Sequence, residues 1–434
     1  MESIKEYLKR GPAKSKEIQA YTGLSQGSIS TKLKAMGDKI VRIQDGRAPR
    51  YAMSREAFGG GNRIPISTVD LSGNSSIIAY LRPLLHGGFF VESVKDTPSV
   101  LLGDSLNGLY DDLPYFLYDL RPQGFLGKKI AETMASLSDG FPKNPERWNS
   151  EHIGKFLMIN GDDMHGNIRL GESLLLRIPQ KTTQYSRDEY QQLAQNAIAG
   201  EVPGSSAGGE QPKFAVYCKE CLSHVIVKFS PTEKNEIAER WRDILISEYH
   251  ATKTLQSYGF STSDVELSEI DNQLFLESNR FDRHGAIGRS SMISLRSIDS
   301  EFVGLGENWP AVLKALAERE LVKWDHVYEA EVLWHFGHYI NNSDMHLGNI
   351  SLAIDGDGFR LLPVYDMCSM GFAPTPGGHL RPYAFKEYDP EPLIINREVL
   401  METKEMAYEF WENLKQDLLI SEKLKKFLKL NPMG

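Results

Sequence analysis

The sequence predicts an α+β protein in two parts: a small head of three helices and a β-wing, then a larger body of two lobes. Three observations carry this reading. Positive charge is concentrated at the front: residues 1–55 hold 12 Lys and Arg against 5 acids, a local +7 that leaves −16 on the rest of a chain whose total is −9. A glycine-rich stretch, FGGGN at 58–62, reads as a linker. Beyond it, strand-like alternation gives way to helical periodicity from about Trp309.

The head, 1–57, is expected to start with a helix over 2–10 that places Ile4, Tyr7 and Leu8 on one face. Ser15 is expected to cap a second helix running to Tyr21. TGLSQGSISTKLKAMG then gives a tight turn and a third helix from about Ser25, with Ile29, Leu33 and Met36 inward. KIVRIQDGRAPRYAM follows as two strands around Asp45-Gly46, a hairpin signal. Three helices and a wing make a winged helix-turn-helix. Gln26, Ser28, Thr31, Lys32 and Lys34 would face outward on the third helix, with Arg42, Arg47 and Arg50 on the wing. Those side chains suit a DNA groove and its phosphates, and a basic head on an acidic body meets a polyanion through the head alone. Winged helices also dock proteins; the local charge favours DNA.

The 434 residues suffice for several domains. No apolar run approaches the ~18 to 20 residues of a membrane span, so no membrane partner is expected. The first residues, MESIKEYLKRGPAKSKE, lack the apolar core of a signal peptide. The three cysteines, Cys218, Cys221 and Cys368, cannot build a disulfide framework. A cytoplasmic location is therefore expected.

After a linker at 58–64, residues 65–180 read as mixed α and β without a sharp chemical motif. HGGFFVES and LPYFLYDLRPQGFLG are apolar enough to be packed. Residues 181–308 read as a β-rich lobe. Two strands join at Lys219-Glu220, a long helix runs from a cap at Thr232 to Ser257, and VELSEI and QLFLESNRFDR add strands. Residues 309–434 read as helical, interrupted by a loop and by the strand pair NISLAI and FRLLPVYD. SEKLKKFLKL at the end suits a solvated amphipathic helix.

The loop NNSDMHLGNISL, 341–352, holds Asp344 and, five positions on, Asn349. Alone, such residues mean turn chemistry. In this order along the chain they mean more. Lys228 sits on a strand between Val227 and Phe229. Glu248 follows on the long helix as its ion-pair partner, favoured over Glu239. LESNRFDR would connect the lobes, and Asp366 ends PVYD. Phosphoryl transfer needs charge neutralisation and positioning more than covalent chemistry. Lys228 would hold phosphates and Glu248 would hold Lys228. Asp344 would accept the proton of the attacking hydroxyl, and Asn349 and Asp366 would hold Mg²⁺ with hard oxygens. The five-residue gap matches the catalytic Asp and metal-binding Asn of protein kinases. This predicts a two-lobed protein-kinase-like fold for the body. A near-copy, NGDDMHGNIRL at 160–170, spaces Asp163 and Asn167 by four and follows no lysine-bearing β-lobe, so it reads as a structural turn. His346 reads as a brace of the loop, and His335 and His338 as packed on the helix before it.

N-x-D-x-H-x-x-N (Asn342, Asp344, His346, Asn349), G-x-x-P-K (Gly209 to Lys213), N-R-F-D-R (Asn279 to Arg283) and P-x-Y-D (Pro363 to Asp366) together resemble the HipA family. These are bacterial serine/threonine protein kinases, toxins of type II toxin–antitoxin systems. The resemblance covers roughly residues 65–434 and implies a HipA-type kinase fold, with 65–180 as the HipA N-terminal subdomain. The winged helix in front resembles the YjjJ (HipH) branch. The resemblance implies that Asp344 accepts the proton and that Asn349 and Asp366 bind Mg²⁺. It implies that ATP meets Gly208, Gly209 and Lys213 in the SSAGGEQPK loop, Lys228 with Glu248, and Asn279, Arg280 and Phe281 at the adenine edge, with His346 and Tyr365 nearby. It implies autophosphorylation in that loop, at Ser206 with Ser205 as neighbour, which switches the enzyme off. It also implies a protein substrate such as an aminoacyl-tRNA synthetase or another translation factor, growth arrest, and an antitoxin partner.

The chain departs from the family pattern twice. Glu210 in Gly-Glu-Gln-Pro-Lys sets a negative charge near the phosphates. A DNA-binding module in the same chain puts the need for a separate antitoxin in doubt. Two readings of other classes compete: a DNA-binding transcription regulator with a pseudokinase or ligand-sensing body, and a small-molecule phosphotransferase. Cys218-Lys-Glu-Cys221 invites a zinc reading, but no second C-x-x-C or paired His lies nearby, so two ordinary thiols on a hairpin turn are expected.

Overall fold

The first helix, Glu2–Leu8, turns Ile4 and Leu8 inward, where they meet Ile18, Ile29 and Leu33 of the next two helices, Ser15–Thr22 and Gln26–Ala35. The computed structural model describes residues 2–44, 46, 48–138, 140–175, 182–199, 211–375, 379–390 and 397–431. Gly23, at φ 68°, ends the second helix in the left-handed conformation that only glycine adopts cheaply. Ser25 caps the third helix by accepting the Ser28 N–H. Contrary to the expectation from sequence, Ser15 does not cap the second helix. The cap position is Lys14, whose N–H is taken by the Glu17 carboxylate, so an acid inside the first turn does the work. Strands Ile40–Ile43 and Arg50–Met53 pair antiparallel, and Ala13–Lys14 adds a short third strand.

The expected flexible linker is instead a pair of tight turns anchored to the body. Phe58 is buried, stacks on Phe89 at 5.6 Å and covers Gly154 so closely that a Cβ there would meet its ring at 2.4 Å. Val41, Ile43 and Ala52 of the head share an apolar cluster with Leu84 and Phe90 of the next domain. Arg82 ties the two together. Its guanidinium donates to the Asn62 carbonyl at 2.8 Å, to the Asp38 carbonyl, and to Glu92 at 2.7 Å. Glycine content alone signals mobility; these long-range contacts override it.

The middle region is a five-stranded antiparallel sheet. Ile64–Val69, Ser75–Pro83, Phe89–Ser93 and Leu109–Tyr110 follow one another across it, and Ile168–Leu170 returns beside the first. Ile64, Ile66, Leu81, Phe116, Phe156 and Leu157 are among the residues of its core.

The β-rich lobe is a second five-stranded sheet. Val265–Ile270, Gln273–Asn279, Ser223–Phe229 and Lys213–Cys218 are antiparallel, with Gln184–Tyr185 parallel at the edge. Alternation sorts its faces. Phe214, Val216, Val225, Val227 and Phe275 pack under the helix Tyr190–Ala199, so Lys213 and Lys228 point the other way. The long helix, Glu236–Ser257, starts later than the sequence suggests. Asn235, not Thr232, caps it by accepting the Ala238 N–H at 2.9 Å, in keeping with the stronger preference for Asn at that position.

The chain enters the helical lobe at Ile293 rather than at Trp309. Ile293–Ser294 pairs with Ser351–Asp355, which pairs with Gly358–Leu361, and helix Leu295–Phe302 follows directly. Helices Trp309–Glu318, Trp324–Tyr339, Arg397–Gln416 and Glu422–Leu430 complete the lobe. The fold is mixed α+β and kinase-like in its body. No helix among the described residues is long and apolar enough to cross a membrane.

Candidate active site

A cleft of about 1200 Å³, counting the space open at its mouth, lies between the two lobes and the middle domain. Lys228 stands at its base, on the central strand of the β-rich sheet and only 6% exposed. Its Nζ donates to both Glu248 oxygens at 2.6 Å and also pairs with Asp366. Glu248 comes from the long helix and is 3% exposed. Burial opposes the Lys228 charge, yet Asp366 and Glu248 hold its pKa above the ordinary lysine value. Lys228 and Lys213 in turn hold the Asp366 carboxyl below its usual range, against the cost of burial. Lys213 stands opposite Lys228 on the neighbouring strand. Burial pushes it down to about 8, and repulsion from Lys228 adds to this.

Asp366 has φ 55°, a left-handed conformation that costs a non-glycine residue about 1–2 kcal/mol. The residues before it hold that conformation. Val364 exchanges backbone bonds with Ser261 and Ser263, and the Tyr365 hydroxyl lies 2.8 Å from Ser351 Oγ.

The loop after helix Trp324–Tyr339 explains the spacing of Asp344 and Asn349. Asn349 Nδ2 donates back to the Asp344 carbonyl at 2.8 Å and to its Oδ2 at 3.2 Å. Asn342 Oδ1 accepts the Asp344 N–H at 3.0 Å. The five-residue gap is thus the span of one closed turn. It fixes the acid and leaves the Asn349 amide oxygen for a cation. The Asp344 side chain is 40% exposed, at the rim, where a hydroxyl from another molecule can reach it. His346 is exposed outside the cleft lining. Its Nδ1 accepts the Gly348 N–H at 3.0 Å, a contact within its own loop. His335 and His338 are engaged by Tyr388, the first through a hydrogen bond and the second by stacking at 4.5 Å.

The link between lobes is built on a buried charge cluster. Asp282 accepts from Arg280 Nε at 2.9 Å, from Arg283 Nη1 at 2.5 Å and from the Gly166 N–H at 2.8 Å. The two arginines hold Asp282 far below the carboxylate range although burial works against it. Arg283 also donates to the Gly166 and Met164 carbonyls. The near-copy turn at 160–170 therefore grips the inter-lobe segment. Asn279 Oδ1 accepts from Ser223 Oγ at 2.9 Å, and the Phe281 ring lies 5.7 Å from that of Tyr365.

Of the residues singled out by sequence, Lys213, Lys228, Glu248, Asn279, Arg280, Phe281, Asn349, Tyr365 and Asp366 line this cleft, and Asp344, outside the lining, is bonded to Asn349. Gly208, Gly209, Glu210, Ser205 and Ser206 lie outside the described residues, as does Arg47 on the wing. Gln26, Ser28, Thr31, Lys34 and Arg42 are exposed on the head, and Lys32 and Arg50 are half-buried. Sequence reasoning missed the far wall. There buried Asp119 accepts the Ser294 N–H at 3.0 Å and the Ser297 hydroxyl at 2.7 Å, and lies 2.9 Å from His165 Nε2. No local pattern joins residues 175 positions apart.

Comparison with known proteins agrees with this architecture. Residues 60–179 match the family model described as YjjJ-like toxin, middle domain, and residues 205–418 match the HipA-like C-terminal domain. The chain is 34% identical over 435 residues to Toxin YjjJ of Escherichia coli K12, covering 97% of this chain and 94% of that one. A chain in the Shewanella oneidensis MR-1 structure of the toxin–antitoxin system HipA, HipB and its operator DNA superposes with TM-score 0.52 at 16% identity, covering 86% of this chain and 92% of that chain. At that identity the likeness is one of fold.

Proposed function

The chain belongs to the HipA-like toxins, in their YjjJ branch, and on that premise we propose that it is an ATP- and Mg²⁺-dependent protein serine/threonine kinase with a DNA-binding head. The observation that carries the proposal is one cluster: Lys228 bonded to Glu248 and Asp366, with Asn349 and Asp344 tied together beside it. Lys228 and Lys213 bring two buried cations to where a polyphosphate would lie, and Glu248 fixes the first of them. Asp344, held by Asn349 and reachable from solvent, orients a hydroxyl and takes its proton. The oxygen donors of Asn349 and Asp366 suit Mg²⁺, which when bound neutralises phosphate charge. Asp366 would then exchange its contact with Lys228 for the cation, freeing that ammonium for phosphate. Asn279, Arg280 and Phe281 form the edge where an adenine would sit.

The same reading assigns autophosphorylation to Ser206 or Ser205 and a cytoplasmic protein substrate, such as an aminoacyl-tRNA synthetase, whose modification arrests growth. An antitoxin partner fits the family and the HipA–HipB assembly of the Shewanella relative. The head would contact DNA through Gln26, Ser28, Thr31, Lys32 and Lys34 with Arg47 and Arg50. Calorimetric titration with a non-hydrolysable ATP analogue, with and without Mg²⁺, tests the core of the proposal. Wild type binds in a Mg²⁺-dependent way, and Asp366→Asn loses that dependence. Absence of nucleotide binding by wild type would overturn the reading.

A further inference from the structure

On the back of the β-rich sheet, away from the cleft, Cys218, Cys221 and Glu277 converge. Their two sulfurs and a carboxylate oxygen all lie within 4.8 Å of one another. The cysteines sit on the hairpin turn between strands Lys213–Cys218 and Ser223–Phe229. Glu277 comes from strand Gln273–Asn279, 56 positions past Cys221, which is why sequence spacing shows only two ligands. The Cys221 N–H donates to Cys218 Sγ at 3.4 Å, and Cys218 Sγ in turn meets Glu220 at 3.4 Å; burial holds this thiol above its usual value, so a metal has to displace its proton. Cys221 Sγ lies 3.1 Å from Ser223 Oγ.

The carboxylate is held in place as metal-bound carboxylates are. Arg187 donates to Glu277 through Nη2 to Oε1 at 2.8 Å and through Nε to Oε2 at 3.1 Å, and the Tyr190 hydroxyl donates to that same Oε2. Glu277 is 5% exposed and Cys218 fully buried, while Cys221 is partly open to solvent. We propose that Cys218, Cys221 and Glu277 bind Zn²⁺, with water in the fourth position on the Cys221 side. Two thiolates and one carboxylate carry three negative charges. A divalent cation leaves one, which faces Arg187, a guanidinium shared with the more exposed Glu266. Sulfur donors select Zn²⁺ over the Mg²⁺ suited to the cleft. Binding releases the two thiol protons to solvent. The cation would fasten helix Tyr190–Ala199, through Tyr190 and Glu277, to the sheet behind Lys213 and Lys228.

The test is titration of reduced, metal-free full-length protein with Co²⁺, whose thiolate charge-transfer absorption reports sulfur ligation. The expected result is one equivalent bound with that absorption and displaced by Zn²⁺. Cys221→Ser, at a partly exposed position, loses the absorption, and Glu277→Gln weakens binding. Tyr190→Phe keeps the stoichiometry and lowers affinity by about tenfold or more. No charge-transfer absorption in wild type, or absorption undiminished in Cys221→Ser and so arising elsewhere, overturns the proposal. The measurement contains no nucleotide, so its failure leaves the kinase reading untouched.

Discussion

Lys213 and Lys228 stand directly opposite each other on antiparallel strands, both buried and both facing the Asp366 side of the cleft. Burial works against both charges, and Lys228 adds repulsion at Lys213. Lys228 holds its proton through Glu248 and Asp366, and Lys213 is the one pushed down to about 8.

A bound polyphosphate should raise the Lys213 value again, so nucleotide binding above pH 8 takes up a proton. The uptake at pH 8.5 should be a measurable fraction of one proton and should grow as pH rises further. Affinity should therefore fall as pH rises past 8. Calorimetry in buffers of different ionisation enthalpy measures this, and Lys213→Met should abolish the uptake.

Asp282 is the keystone between middle domain and inter-lobe segment. Asp282→Ala leaves Arg280 and Arg283 buried without their carboxylate and should cost about 3–5 kcal/mol of stability in urea unfolding. Asp282 has a folded pKa far below its unfolded one. Its contribution is thus complete above the unfolded value of about 3.9 and is lost only as pH falls well below it. Unfolding midpoints of wild type and variant should stay separated by the same amount down to about pH 4.

The head should be rigidly seated. Arg82→Ala removes the Arg82 donor from the Asn62 carbonyl, leaves Ser54 and Asn62 as donors to the Asp38 carbonyl, and deletes charge-assisted bonds of about 1.5–3 kcal/mol each. Limited proteolysis should then cut within residues 54–63, where wild type resists. Equal resistance in both proteins would show that the apolar contacts of Val41, Ile43, Leu84 and Phe90 suffice alone.

Much of this was legible because the signals are local. The five-residue turn from Asp344 to Asn349, the apolar neighbours of Lys228 and the alternation in SHVIVKFS are each written within a few residues. Ile4, Leu8, Ile29 and Leu33 follow helical spacing and are buried as that spacing requires. What was not legible depends on contacts across the chain. FGGGN reads as mobile until Phe89 and Arg82 are beside it. Asp119 passes unnoticed in the packed stretch LPYFLYDLRPQGFLG until Ser294 folds against it. Cys218 and Cys221 read as two plain thiols until Glu277 arrives from another strand. The start of the long helix was missed for a subtler reason: both Thr232 and Asn235 can cap, and it is Asn235 that accepts the Ala238 N–H.

The most direct test of the central claim is the intact mass of the purified protein after incubation with Mg²⁺ and ATP, with site mapping and with Asp344→Ala in parallel. The account predicts one added phosphate on Ser206 or Ser205 in wild type and none in the variant. An unchanged wild-type mass while nucleotide is bound, or equal phosphorylation of Asp344→Ala, would contradict it.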